Sequence, residues 1–243
     1  MDSEICTYLD WDSEFFGVRI ARYNGSRLSA ERMPEAVGWC QSHQIDCLYF
    51  LADSGGRETV GLAEAHGFQL VDIRMTFRRS VPGEPEPPAA VREFRAADAA
   101  RLQSIARVSH KDSRFYYDGH FPESRCGKFY ETWIERSCGG WADAVLVAET
   151  DGFAAGYVTC HLTPAGVGSI GLLAVAPECR GRCLGEQLTK AALAHFRAKG
   201  MQEVTVVTQG RNVRSQRLYQ RCGFVTESVE LWYHKWFGAR PLP

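Results

Sequence analysis

The sequence has no C-x-x-C pair, and no second cysteine pair or histidine pair completes a zinc set. Its nine cysteines, an odd number, are scattered at positions 6, 40, 47, 126, 138, 160, 179, 183 and 222. That pattern predicts reduced, mostly buried thiols in a cytoplasmic protein and no bound metal. Excess charge of one sign is also missing. With 28 basic against 29 acidic residues and a net charge of -1, nothing points to nucleic acid or a membrane surface as partner. No apolar run approaches the length of a membrane span. The opening stretch, MDSEICTYLDWDSEFFG, lacks a cationic segment followed by an apolar one, so no signal peptide is expected.

What is present is 45% apolar residues, enough for a substantial core in 243 residues. Four of the ten prolines crowd into VPGEPEPPAA, residues 81–90, which can form neither a helix nor an inner strand. It reads as a linker between a first domain, 1–80, and a second, 91–243. In the first, 6–23 reads as a strand and turn, 31–43 and 60–65 as helices, and 45–51 and 70–78 as strands. In the second, 91–94, 144–149, 154–161, 170–175, 204–208 and 229–236 read as strands. Helices are expected at 97–108, 126–137, 184–199 and 212–221. The class is α/β (α+β), with a sheet flanked by helices.

A shift of 156 residues brings the two segments into register. His66-Gly67-Phe68 falls on Cys222-Gly223-Phe224, and Ile73, Met75 and Phe77 fall on Val229, Leu231 and Tyr233. Helix, strand, helix and strand recur in the same order. The copies differ at two places: Arg180–Gly185 falls opposite Asn24–Ser29, which lacks its shape, and Tyr219 falls opposite Ala63. The first copy is therefore expected to be scaffold or acceptor-site wall.

The chemistry gathers at IGLLAVAPECRGRCLG, residues 170–185. An apolar strand ends at Pro177 and a basic, glycine-containing loop opens an amphipathic helix. Such a turn aims unpaired amides and the positive end of a helix dipole at one spot, a place for phosphate. Downstream, Asn212 and Tyr219 are seven residues apart, on nearly one helical face. Alone, the loop is also what any basic strand-to-helix turn looks like.

Taken together, LLAVAPECRGRCLGEQL and NVRSQRLYQRCGF resemble the acetyl-CoA site of the GCN5-related N-acetyltransferases (GNAT). The resemblance implies the GNAT fold, a mixed, mostly antiparallel sheet, with a truncated GNAT-like domain before it. It implies acetyl-CoA held by Arg180, Gly181, Arg182, Cys183, Leu184 and Gly185. The splayed strand Leu173, Ala174 and Val175, together with Asn212 and Ser215, would take the pantetheine arm. Tyr219 would protonate the departing thiolate. Family loops usually carry glycine where Cys183 stands.

WDSEFFGV, HGFQLVD, DSRFYYDGHF and KFYETWIERS resemble the branch of nucleotide-amino-sugar N-acetyltransferases that acts on TDP-fucosamine. That likeness implies a TDP-linked 4-amino-4,6-dideoxyhexose as acceptor, in antigen or lipopolysaccharide biosynthesis, and a base at Asp72. From the residues themselves Asp72 is either a base or a sheet-edge carboxylate, and His161 is an alternative base. Ser113, Arg114, Phe115 and Tyr116 either bind the nucleotide or pack a domain interface. Phe15 and Phe16 read as core. Self-association into a homodimer is compatible with all of this. Two competing readings remain: acetyl transfer to another small amine or a protein amine, and a CoA-binding module without catalysis. Retention of Asn212 and Tyr219 argues against the second.

Overall fold

The computed structural model describes residues 4–81 and 90–238, so most of the proline-rich segment lies outside the described residues. Ten strands form one sheet in the order β1-β2-β3-β10-β4-β9-β8-β7-β6-β5. They are β1 (Cys6–Tyr8), β2 (Ile20–Tyr23), β3 (Cys47–Asp53), β4 (Gln69–Ser80), β5 (Val91–Glu93), β6 (Ala144–Thr150), β7 (Phe153–Leu162), β8 (Val167–Val175), β9 (Glu203–Gln209) and β10 (Val225–Trp236). Pairing is antiparallel except between β2 and β3 and between β8 and β9. The helices are α1 (Asp10–Phe16), α2 (Arg32–Ser42), α3 (Arg57–Ala65), α4 (Ala99–Ser109), α5 (Arg114–Tyr117), α6 (Glu123–Arg136), α7 (Leu184–Ala198) and α8 (Val213–Arg221).

Residues 6–23 are not a strand and turn but strand, helix and strand. Asp10 and Asp12 in the first turn complement the helix dipole, and Gly17, at φ 74°, ends α1 in the left-handed region. The helix buries Phe16 completely, as expected of a core residue.

Strand alternation distributes side chains to the two faces. Val145, Val147 and Tyr49 point toward α1 and α4–α6, where Phe16, Phe115, Phe121 and Phe129 make an aromatic core. Leu146 and Ala148 point the other way, onto α7 and α8, with Leu188, Leu193 and Phe196. Leu48 and Phe50 share that opposite face and bury α2 and α3.

The two segments of the sequence share this sheet by exchanging their last strands. β10 lies between β3 and β4, and β4 lies between β10 and β9. Phe50 pairs with Tyr233, and Phe77 pairs with Val206. These two pairs are related by the same shift of 156 residues, as are Leu231↔Ile73 and Val229↔Met75 within β10 and β4. The repeat is thus expressed as an approximate two-fold relationship between β4 and β10.

Candidate active site

β8 and β9 pair only from Val167↔Glu203 to Ile170↔Val206, and then part. A bulge in β8 accompanies the parting: Val158 pairs with Leu173, but Cys160 pairs with Ile170. Thr159 Oγ1 accepts the Leu172 N–H at 2.8 Å. A Cβ on Gly171 would lie 2.6 Å from His161 Nε2 and 2.7 Å from Thr159 Oγ1, so a side chain here would displace those groups. Farther on, the Ala176 N–H donates to Ala155 on β7. By the two-residue period of a strand, the Leu173 and Val175 amides face the opening left by β9. Over 173–175, β8 and β9 are therefore splayed.

Below the opening, the chain enters α7 through Arg180–Gly185. Among the described residues, the N–H groups of Gly181, Arg182, Cys183, Leu184 and Gly185 donate to no backbone or side-chain acceptor. Five consecutive free amides at a helix start form an anion cradle. Gly181 has φ +83°, and Cys183 has φ 57° and ψ 14°, in the left-handed region that favours glycine.

This loop, β8 and α8 enclose a cleft of about 590 Å³. Leu173, Ala174, Val175, Arg180, Gly181, Cys183, Leu184, Gly185, Asn212 and Ser215 all line it. The Arg182 side chain does not; its guanidinium lies 3.9 Å from Asp151, so only its amide serves the cradle. Lys111, Arg214 and Arg221 add positive charge that the sequence reading missed, although 214, 218 and 221 recur at helical spacing on one face of α8. Asn212 caps α8, its Oδ1 accepting the Ser215 N–H at 3.0 Å, which leaves its amide nitrogen for a ligand. Free amides, an open strand edge and the guanidinium groups of Arg214 and Arg221 fit a CoA-type polyanion with an amide-bearing arm, while Lys111 is engaged by Glu123 at 3.1 Å.

A second cavity of about 290 Å³ adjoins the cleft, and His110, Asp112, Leu173, Asn212 and Ser215 line both. Tyr219 is in its wall, 4% exposed, and burial raises its phenol well above the ordinary value, so the hydroxyl stays protonated. Asp72 is also in the wall and 4% exposed. Burial pushes its carboxyl up to about 6, against the opposing pull of the Arg211 guanidinium. Asp72 Oδ1 accepts the Ile73 N–H at 2.8 Å and Arg211 Nη1 at 3.1 Å, while Oδ2 bonds to no described residue.

The other sequence-predicted residues divide. Ser113, Arg114 and Phe115 border the cavity. Phe115 is only 2% exposed, its ring packed on Phe16 and Phe129, so it offers no free face for stacking. Tyr116 turns toward α6, where a Cβ on Gly127 would come 3.6 Å from its hydroxyl. His161 lines neither cavity, and burial lowers its pKa. Trp11, Asp12, Phe129, Trp133 and Trp232 also line the second cavity; the first four fall in the motifs WDSEFFGV and KFYETWIERS without a role assigned from sequence, and Trp232 was not singled out, because β10 reaches the site only through the exchanged sheet.

A cleft with an amide cradle and a splayed strand thus opens onto a cavity walled by a buried phenol and a buried carboxyl. Residues 103–224 match the acetyltransferase (GNAT) family model, and the chain belongs to that family. It is 29% identical over 156 residues to the spore coat polysaccharide biosynthesis protein SpsD of Bacillus subtilis (strain 168), covering 64% of this chain and 50% of that protein. It is 29% identical over 188 residues to a mycothiol acetyltransferase of Stackebrandtia nassauensis, covering 72% and 58%. The chain thus spans between half and three fifths of the length of these relatives. A GCN5-related N-acetyltransferase structure from Sphaerobacter thermophilus superposes with a TM-score of 0.66 at 17% identity, over 95% of this chain and 76% of that one.

Proposed function

We propose that this protein transfers the acetyl group of acetyl-CoA to the amine of a nucleotide-linked amino sugar. The amine attacks the thioester carbonyl. The oxyanion is held by a β8 amide, the tetrahedral intermediate expels the CoA thiolate, and Tyr219 protonates it. Asp72 takes the proton from the amine through Oδ2.

One observation carries the acceptor reading. The Arg114 guanidinium borders the cavity, stacked on Trp232 at 4.4 Å and Tyr49 at 5.1 Å, yet makes no hydrogen bond or ion pair with any described residue. Its Nε is buried without a partner. A guanidinium with a buried, unpartnered Nε at the cavity wall suits an anion from the ligand, although Asp12 in the same wall also feels its charge. The phosphate of a nucleotide-linked sugar supplies one, while the aromatic walls suit the apolar face of a sugar ring. A relative named for polysaccharide biosynthesis supports a sugar acceptor. Nine free thiols suit a reducing compartment.

The small volume favours a second reading. About 290 Å³ falls at or below the range of about 300–1,000 Å³ typical of sites that enclose a drug-sized ligand. A compact amine bearing a carboxylate would satisfy Arg114 without a nucleotide. The mycothiol acetyltransferase relatives keep other acceptors in view. A thiol-release assay with acetyl-CoA against nucleotide-linked amino sugars, free amino sugars and amino acids separates the two. Turnover with the nucleotide-linked sugars, together with a rise in thermal midpoint at millimolar TDP, is expected. Turnover confined to small carboxylated amines, with no shift by TDP, would replace the nucleotide reading by the second.

A further inference from the structure

Arg211 lies in the short connection between β9 and α8, immediately before Asn212. Its side chain reaches three places. Nη1 donates to Asp72 Oδ1 at 3.1 Å and to the Asp112 carbonyl at 3.1 Å, and Nη2 donates to the Val71 carbonyl at 2.8 Å. The guanidinium stacks on the Tyr117 ring at 3.7 Å from its centre. The connection itself is pressed onto β4: the Gly210 N–H donates to the Ile73 carbonyl, and a Cβ on Gly210 would lie 2.7 Å from Ile73 Cβ. Only glycine lets the backbone approach so closely.

From this geometry we infer that Arg211 is the positioning residue of the acceptor-side carboxylate. It holds Asp72 by Oδ1, turns Oδ2 toward the cavity, and fixes Asp112 at the boundary of the two cavities. This rests on the reading of Asp72 as the base.

The arrangement is specific. A carboxylate on a strand can rotate about its last bond and exchange its two oxygens. Two donors on Oδ1, one from its own strand and one from Arg211, define which oxygen is left over. The donor from Arg211 is itself fixed by two carbonyls and a ring, so little freedom remains in the guanidinium. Because the same residue abuts Asn212 at the start of α8, the segment that carries the cofactor-arm ligand and the acid also carries the clamp on the base. The remaining charges around Asp72 are Arg114 from α5, Asp112 from the loop before it, Asp12 from α1 and Arg74 on β4, with His110 at the end of α4. Arg74 is engaged by Glu230 at 2.7 Å, and the Arg114 effect on Asp72 is smaller than that of Arg211.

The test compares wild type, Arg211→Gln, Arg211→Lys and Asp72→Asn in pH profiles of kcat/KM, with acetyl-CoA affinity and thermal midpoint as folding controls. In Arg211→Gln the acid limb should move up by about 1–3 pH units, the size of the effect an arginine exerts on an adjacent carboxylate. Arg211→Lys retains the charge but not the fork. Its limb should stay near the wild-type position while kcat falls. An unmoved limb in a folded Arg211→Gln protein, with the limb lost in Asp72→Asn, overturns the role of Arg211 and leaves the base reading standing. An acid limb that survives in Asp72→Asn overturns both. Should Arg211→Gln fail to fold, Arg211→Lys decides: a kcat equal to wild type overturns the inference, and a lower kcat with an unmoved limb supports it.

Discussion

Arg74 and Glu230 form an ion pair of 2.7 Å between positions 156 residues apart, the offset that brings the two halves of the sequence into register. Each occupies the place of the other in its own half. The pair sits where β4 and β10 cross-connect the halves, and its geometry is a direct consequence of strand exchange. A repeat whose last strands stayed at home would not have set these two side chains against one another.

The exchange makes the halves interdependent. Without residues 1–81, β9 and β10 would each lose β4 as a neighbour and present open edges. A chain cut within 82–89 and expressed as two pieces is expected to give soluble protein only when both are present, co-purifying as one complex. Either piece folding alone, by circular dichroism and cooperative melting, would contradict this.

Tyr219→Phe keeps the ring that packs on Phe77 and Phe224 and removes only the hydroxyl. Turnover should fall by about 10²–10⁴-fold, the usual contribution of a general acid, with acetyl-CoA affinity little changed. Equal loss in turnover and affinity would move Tyr219 from acid to binding residue.

With its carboxyl pushed up to about 6, Asp72 could serve the proposed role of base only once it has lost its proton. kcat/KM should therefore rise with pH to about 6 and level off above it. Asp72→Asn should remove that limb. A limb unchanged in the variant would require another base.

The left-handed backbone at Cys183 costs a side-chain-bearing residue about 1–2 kcal/mol, partly offset because glycine is more disordered when unfolded. Cys183→Gly should keep the thermal midpoint within about 4 °C of wild type and tighten acetyl-CoA. Cys183→Val should weaken the cofactor, because a β-branched residue fits this region worst. Calorimetric titration of the three proteins checks the order.

Acid should destabilise the fold above the pH range in which ordinary carboxylates titrate. His110 donates to or accepts from Tyr157 at 3.0 Å, and burial lowers it to about 4. His234, fully buried on β10, is likewise held down to about 4, in spite of its hydrogen bond to Asp118. Neutral His234 donates through Nδ1 to the Asp118 carboxylate, which is held below its usual range by this bond and by Trp236. Between about 6.5 and about 4 the unfolded chain therefore binds more protons than the native one at both histidines, and stability falls with pH. Asp72 and Asp12, both raised by burial, act in the opposite sense, while His161 and His195, also lowered by burial, add to the fall. A melting midpoint flat from pH 7 to 4.5 would contradict this balance.

Much of the cofactor side is legible along the chain. Arg180–Gly185 presents main-chain amides whose direction follows from a tight turn into a helix, and Asn212 and Tyr219 lie two helical turns apart. Both are short-range consequences of backbone geometry. The repeat and its equivalences were also set by linear pattern, down to Ile73 opposite Val229. What the tertiary structure alone decided is the strand exchange and, with it, the smaller cavity. Trp11 and Asp12 on α1, Trp232 on β10 and the Arg211 clamp on Asp72, 139 residues away, meet there. Such meetings depend on which strand pairs with which across the sheet. Two equivalent last strands carry the same alternation of apolar residues, so pattern alone does not choose between staying and exchanging. Packing of the two halves into one continuous sheet makes that choice, and it builds the walls of the smaller cavity.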